Sequence, residues 1–220
     1  SNFVMAETIP TKSKILKQTS DCFKDSRTQK CKELGIKFIS ENRIERINFS
    51  LLILGGDGIG YTYTNNEWHN LVDNFSSFCR TKKTKPLFIT SRRTPKEIED
   101  LIKEKYDVSM SVLFHSENTR GKFDHLLYIA GNIFVTEDSS TMLSEAISSG
   151  KKVISIYPQN INAPDKYLEI IAKYEGLGFI ERCNITNIKE FSLSGEINIQ
   201  EKVDSYRKNF QRLLIDRLKD

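Results

Sequence analysis

Three short stretches carry residue types able to hold an anion or a sugar. The first, LLILGGDGIGY, sets Gly55, Gly56, Asp57 and Gly58 directly after an apolar run. Glycine permits close approach and positive φ, so backbone N–H groups here could cradle a phosphate; a merely tight strand-to-helix turn would use the same residues. The spacing is neither GxGxxG nor GxxxxGK[ST], which takes support from a nicotinamide enzyme and from a P-loop NTPase. The second stretch, FITSRRTP, places Ser91, Arg92, Arg93 and Thr94 between an apolar run and Pro95. Guanidinium groups match phosphate oxygens with paired donors, and the N-terminus of a following helix favours an anion. The alternative is a solvated turn with one arginine paired to an acidic neighbour.

The third stretch, TEDSSTMLSEAISSGKK, carries Glu137, Asp138, Ser139 and Ser140, then Glu145 in an E-x7-E spacing. Asp138, Ser139, Ser140 and Thr141 can cap a helix or lend oxygens to a ligand. Glu145, if it faces the ligand, could accept both hydroxyls of a ribose diol; otherwise it is a helix former on an exposed face. No Ser–His–Asp arrangement can be read near these stretches. His69, His115 and His125 form no HExxH pattern, and Cys22, Cys31, Cys79 and Cys183 form no CxxC pair. Reduced thiols and no metal site are expected.

These residues need a scaffold, and the apolar periodicity supplies one. Strand-like runs cover Ser50–Leu54, Leu87–Thr90, Ser111–Phe114, Ile133–Thr136 and Val153–Tyr157. Between them lie helical patterns. Trp68, Leu71, Val72, Phe75, Phe78 and Cys79 recur at the spacing of one buried face behind a Thr64–Glu67 capping box. Thr94-Pro95-Lys96-Glu97 reads as a second box with proline at the first helical position. Further helices are expected over Lys122–Ala130, Ser140–Ser149 (closed by Gly150), Pro164–Tyr174 and the amphipathic Ile199–Leu218. Continuously apolar strands, each followed by a helix, give an α/β fold with a doubly wound parallel sheet and a C-terminal amphipathic helix. In such a sheet ligands bind outside the carboxyl ends of the strands, where all three stretches fall. The strand over Ser111–Phe114 ends on HSENTRG and the last on YPQNINAP.

The 220 residues, 38% hydrophobic and 28% charged, suit a single domain with a substantial core. The net charge of +4 is modest, so no nucleic-acid surface is expected. The apolar runs, such as Leu51–Leu54, are far too short to cross a bilayer, and a cytoplasmic location is expected. Residues 1–48 are polar and basic, with weak helical periodicity.

LLILGGDGIGY, FITSRRTP and IFVTEDSSTMLSEAISSGKKV, in this order and over roughly residues 50–157, resemble the mitochondrial-fission ELM-one-like family. That group is widespread in bacteria and named for a plant member. It looks like the C-terminal, donor-binding half of a GT-B glycosyltransferase, a fold of two Rossmann domains. The resemblance implies that residues 49–220 form a Rossmann-like nucleotide-sugar-binding domain, with residues 1–48 a remnant of, or link to, an acceptor domain. It implies a nucleoside-diphosphate sugar as substrate, no cofactor and no required metal, and glycosyl transfer by the complete protein. Glu145 would hold the ribose and Glu137 would lie near the donor sugar. Ser139 and Ser140 would sit by the diphosphate, Arg92 and Arg93 would neutralise it, and Gly55–Gly58 would admit it. Two other readings stay open. One is a non-catalytic interaction module with peripheral association at the cytosolic face of a membrane, as the plant namesake is regarded. The other is an epimerase of the UDP-GlcNAc type on the same fold.

Overall fold

A strand covered on both faces can carry few polar side chains, and β1 (Phe49–Leu54) is buried at every position. Its one polar side chain, Ser50, is satisfied by Thr84 and Asn132. The computed structural model describes residues 49–106, 112–113, 123–195 and 198–219. Beside β1 lie β2 (Lys85–Thr90), β3 (Val112–Leu113), β4 (Ala130–Thr136), β5 (Val153–Tyr157) and β6 (Ile180–Asn184). All pairings are parallel, and the order is β3-β2-β1-β4-β5-β6. The chain winds outward from β1 in one direction and returns to β4 to wind in the other. That is the doubly wound, Rossmann-like arrangement the apolar runs imply.

Helix α1 (Asn65–Lys82) follows β1 and buries the six residues that its periodicity singles out. Phe75 meets Phe88 and Phe134 edge-on at 5.5 and 5.3 Å, fixing the helix across β2 and β4. The Thr64–Glu67 capping box is complete: Thr64 Oγ1 accepts the Glu67 N–H at 3.2 Å and Glu67 Oε2 accepts the Thr64 N–H at 2.9 Å. Glu67 also accepts the Gln159 N–H at 2.7 Å, tying the helix start to the loop after β5. Thr64→Ala should therefore cost about 1 kcal/mol of unfolding free energy by urea titration.

The second expected box is absent. Helix α2 (Lys96–Lys105) starts after Pro95 with no side-chain cap. Thr94 instead turns its hydroxyl back to the end of β1, against the carbonyls of Leu54 and Gly55 at 2.9 and 2.6 Å. Its oxygen accepts the Ser91 N–H at 2.9 Å instead of a helix-start N–H, and its proton faces buried carbonyls that water cannot reach.

Helices α3 (Phe123–Ile129), α4 (Ser140–Ile147), α5 (Asp165–Gly176) and α6 (Gln200–Lys219) lie within a few residues of the expected spans. Gly150, at φ +81°, closes the turn after α4 by donating to Ile147 O at 3.0 Å. Residues 1–48, the two ends of the expected strand at 111–114 and the HSENTRG loop lie outside the described residues. Strand β6 was not expected. It is an edge strand with Ile180 and Cys183 buried and Glu181 and Arg182 only partly so, and lacks the apolar run that marks the others. Its Cys183 and the Cys79 of α1 are free and buried, which pushes their thiols up to about 12 and about 11. No helix among the described residues is long and apolar enough to cross a membrane.

Candidate functional site

The strand order reverses between β1 and β4, and beyond their carboxyl ends the chain leaves on two diverging sides. Such a reversal opens a crevice. The loops after β1, β2 and β4 meet there. The Gly55 N–H donates to Thr136 Oγ1 at 2.7 Å, and the Gly56 N–H donates to Asp138 Oδ2 at 3.1 Å. From the loop after β2, Arg93 Nη2 reaches the same carboxylate oxygen at 2.7 Å.

The glycine turn is thus permissive for a reason internal to the protein. A Cβ on Gly55 would stand 2.2 Å from Asp138 Oδ2, and one on Gly56 would stand 2.2 Å from the carbonyl oxygen of Arg93. The backbone does cradle an anion, and that anion is the Asp138 carboxylate. Gly58 and Tyr61 exchange backbone hydrogen bonds at 3.1 and 2.9 Å around a reversal in which Ile59 and Gly60 both have positive φ. Asp57 is exposed, and its Oδ1 accepts the Tyr63 N–H at 3.0 Å.

In the second stretch, Ser91 and Thr94 serve the framework: Ser91 Oγ donates to Gly55 O at 3.0 Å, and Thr94 Oγ1 accepts the Ser91 N–H at 2.9 Å. The two arginines part company. Arg92 is exposed, whereas Arg93 is paired with Asp138, which is the alternative that the sequence left open for one of them. With 37% of its side chain exposed, Arg93 still presents part of its guanidinium to the crevice.

Glu137 faces inward. Its side chain has no exposure, and its two oxygens accept from Tyr61 Oη at 2.6 Å, Ser155 Oγ at 2.8 Å, Arg182 Nε at 2.9 Å and Arg182 Nη2 at 2.7 Å. Four donors fill the acceptor capacity of a carboxylate. Its carbonyl oxygen takes the Tyr167 hydroxyl at 2.5 Å. Glu137 is therefore placed to lock β4, β5, β6 and the loop after β1 together beneath the crevice, and it offers no oxygen to a sugar. Arg182 also lies over the Tyr157 ring, 4.5 Å from its centre. Burial, then the Glu137 carboxylate, drive the Tyr61 and Tyr167 phenols far above their ordinary range, so both remain protonated.

Asp138 is equally buried but less well served. Among the described residues its Oδ1 has no hydrogen-bond partner, and burial raises its carboxyl above the usual range against the opposing pull of Thr136, Arg93 and the Gly56 N–H. Ser139 caps α4 weakly, accepting the Met142 N–H at 3.4 Å, and Ser140 is the first helical residue. Glu145 is half-buried one helical turn after the exposed Thr141, on the same face. The donors to Glu137 were missed by the sequence reading. Tyr61 and Tyr63 alternate after the glycine turn and Arg182 sits between Ile180 and Cys183; these short alternations are the only local signal for them.

A groove of about 660 Å³ lies elsewhere, at the amino edge of the sheet, lined by Asp73, Ser77, Arg80, Thr84, Lys105 and Tyr106 among others. It has none of the converging strand-end loops.

Comparison with known proteins finds 31% identity over 118 residues to uncharacterized protein RP120 of Rickettsia prowazekii (strain Madrid E). The match takes in 52% of this chain and 33% of that protein, so the chain spans about a third of the relative's length. Among solved structures, YcaC from Pseudomonas aeruginosa with hexane-2,5-diol and covalent acrylamide shares 12% identity at a TM-score of 0.41. That overlap covers 66% of this chain and 80% of YcaC, and the likeness is too slight to bear on fold or chemistry. The model of the mitochondrial fission ELM1 family matches residues 30–198, and the chain belongs to that family.

Proposed function

We propose that the crevice at the carboxyl ends of β1 and β4 binds a nucleoside-diphosphate sugar, and that the complete protein transfers its sugar as a GT-B glycosyltransferase does. The observation that carries this reading is the reversal of strand order with Arg92, the open part of Arg93 and the start of α4 gathered above it. Guanidinium groups and unpaired helix-start N–H groups can take up the charge of a leaving diphosphate without a metal. Glu145, one turn into α4, would accept the ribose hydroxyls. An acceptor and its base would come from a second domain, so this chain alone is expected to bind donor without turnover.

A panel of UDP-, GDP-, ADP- and CMP-sugars read by thermal shift tests the reading. Ligand at about a hundred times its Kd adds about 2.7 kcal/mol to stability, which is readily seen. Arg92→Ala should then weaken diphosphate binding by about 1.5–3 kcal/mol with the melting temperature of the free protein unchanged. Glu145→Gln should weaken binding of the ribonucleotide by about 1–3 kcal/mol, and a 2′-deoxy ligand should cost the wild type a similar amount. The two losses should not add, because they remove one contact. Calorimetry on all four combinations decides; full additivity would turn Glu145 away from the ligand.

A second reading, a non-catalytic module that keeps the crevice and binds a partner at a membrane, draws on a different observation. Both acidic side chains at the end of β4, Glu137 and Asp138, are engaged by donors of the protein itself. No thermal shift with any nucleotide sugar would favour it.

A further inference from the structure

We propose that Asp138 is a built-in competitor for the anion site, occupying with its own carboxylate the donors that an incoming anion needs. The inference deepens the nucleotide-sugar reading by naming how that site is regulated, and it rests on that reading only for the identity of the natural ligand. Asp138 Oδ2 holds the Gly56 N–H and Arg93 Nη2 together at 3.1 and 2.7 Å. A glycine-loop amide and a guanidinium are the pair of donors that elsewhere receive a phosphate oxygen. Packing confirms that the carboxylate is seated in the loop, since no side chain larger than hydrogen fits at Gly55 beneath it.

The charges decide the consequence. With Asp138 ionised, Arg93 is neutralised as a pair, and an arriving anion meets Arg92 and the start of α4 but not the full charge of Arg93. The carboxylate is costly to keep: its side chain is fully buried and Oδ1 has no partner among the described residues. Protonation, or loss of the charge by substitution, therefore releases Arg93 to the crevice. The ionisable groups around Asp138 are Arg93 from the loop after β2, Tyr63 from the loop after β1, Tyr167 from α5 and the adjacent Glu137. Both phenols stay protonated at and below neutral pH, and Glu137 is tied to Arg182, so Asp138 and Arg93 are the pair whose balance changes.

The test uses sulfate, which keeps both its charges from neutral to mildly acid pH, with pyrophosphate as a second probe at neutral pH. Wild-type affinity for sulfate should rise as the pH falls from neutral into the carboxylate range. Asp138→Asn should bind sulfate and pyrophosphate about tenfold more tightly at neutral pH, the scale of one nearby charge at an intermediate dielectric, and should show no such pH dependence. Arg93→Ala should also flatten the profile, and adding it to Asp138→Asn should abolish the gain. If Asp138→Asn fails to fold, the wild-type and Arg93→Ala profiles decide by themselves. Unchanged or weaker anion binding in Asp138→Asn, a flat wild-type profile, or no anion binding in any variant overturns the proposal. Tighter sulfate binding in Asp138→Asn with no binding of any nucleotide sugar would leave the competitor standing and remove the glycosyl-transfer reading. Nucleotide-sugar binding that Asp138→Asn weakens would do the reverse.

Discussion

Arg182→Ala should lower the unfolding free energy by about 3 kcal/mol, seen as a lower urea midpoint with an unchanged slope. The substitution removes two of the four donors to Glu137 and leaves a fully buried carboxylate short of its counter-charge. Removing one partner of a buried pair costs about 3–5 kcal/mol; the lower end applies here because 27% of the arginine side chain reaches solvent. Arg182→Met keeps an apolar stem beside Tyr157 but supplies no donor, so it should rescue little. Glu137→Gln in the Arg182→Ala background should cost less than the two single losses combined, since the charge left stranded by one is removed by the other. Additive losses would mean that Tyr61 and Ser155 alone satisfy Glu137.

Gly56→Ala should be of similar size, about 3 kcal/mol, for a steric reason. The added methyl would stand 2.2 Å from the Arg93 carbonyl oxygen and 2.6 Å from its carbon, and backbone cannot swing aside as a side-chain tip can. The loops after β1 and β2 would have to part, breaking the Gly56 contact to Asp138 as they did. Gly176→Ala is the matched control. No atom of the described residues lies within 4 Å of a Cβ there, and the residue ends α5, so alanine should raise stability by about 0.5–1 kcal/mol. Equal behaviour of the two variants in chemical denaturation would rule out close packing as the reason for the glycine loop.

What the sequence made legible was whatever repeats locally. The apolar runs of β1, β2, β4 and β5 and the one-sided periodicity of α1 announce themselves within a few residues, because burial on two faces or on one stripe dictates residue type. Among the described residues strand β6 pairs with β5 alone, and a half-covered edge permits Glu181 and Arg182, which erases the run. The site shows the same limit more sharply. Thr94 has the spacing of a cap and spends its hydroxyl on β1, 40 and 39 residues away. Glu137 has the spacing of a sugar-side glutamate, yet its partners stand 76, 18 and 45 residues distant. Local spacing is blind to such competition, so it placed these residues at the carboxyl ends of the strands but missed the inward direction of Glu137.

The pairing of Glu137 with Arg182 also imposes an order of events on a chain made from its N-terminus. The carboxylate is synthesised first and its guanidinium follows 45 residues later. At about 5–20 residues per second, that interval is roughly 2–9 s. Throughout it, β1, β2 and β4 are present while the charge at the end of β4 has no arginine to meet. The central strands can pair in this time, but the crevice floor cannot dry out until the last strand has joined the sheet. The crevice is thus finished by the last strand of the sheet to be made.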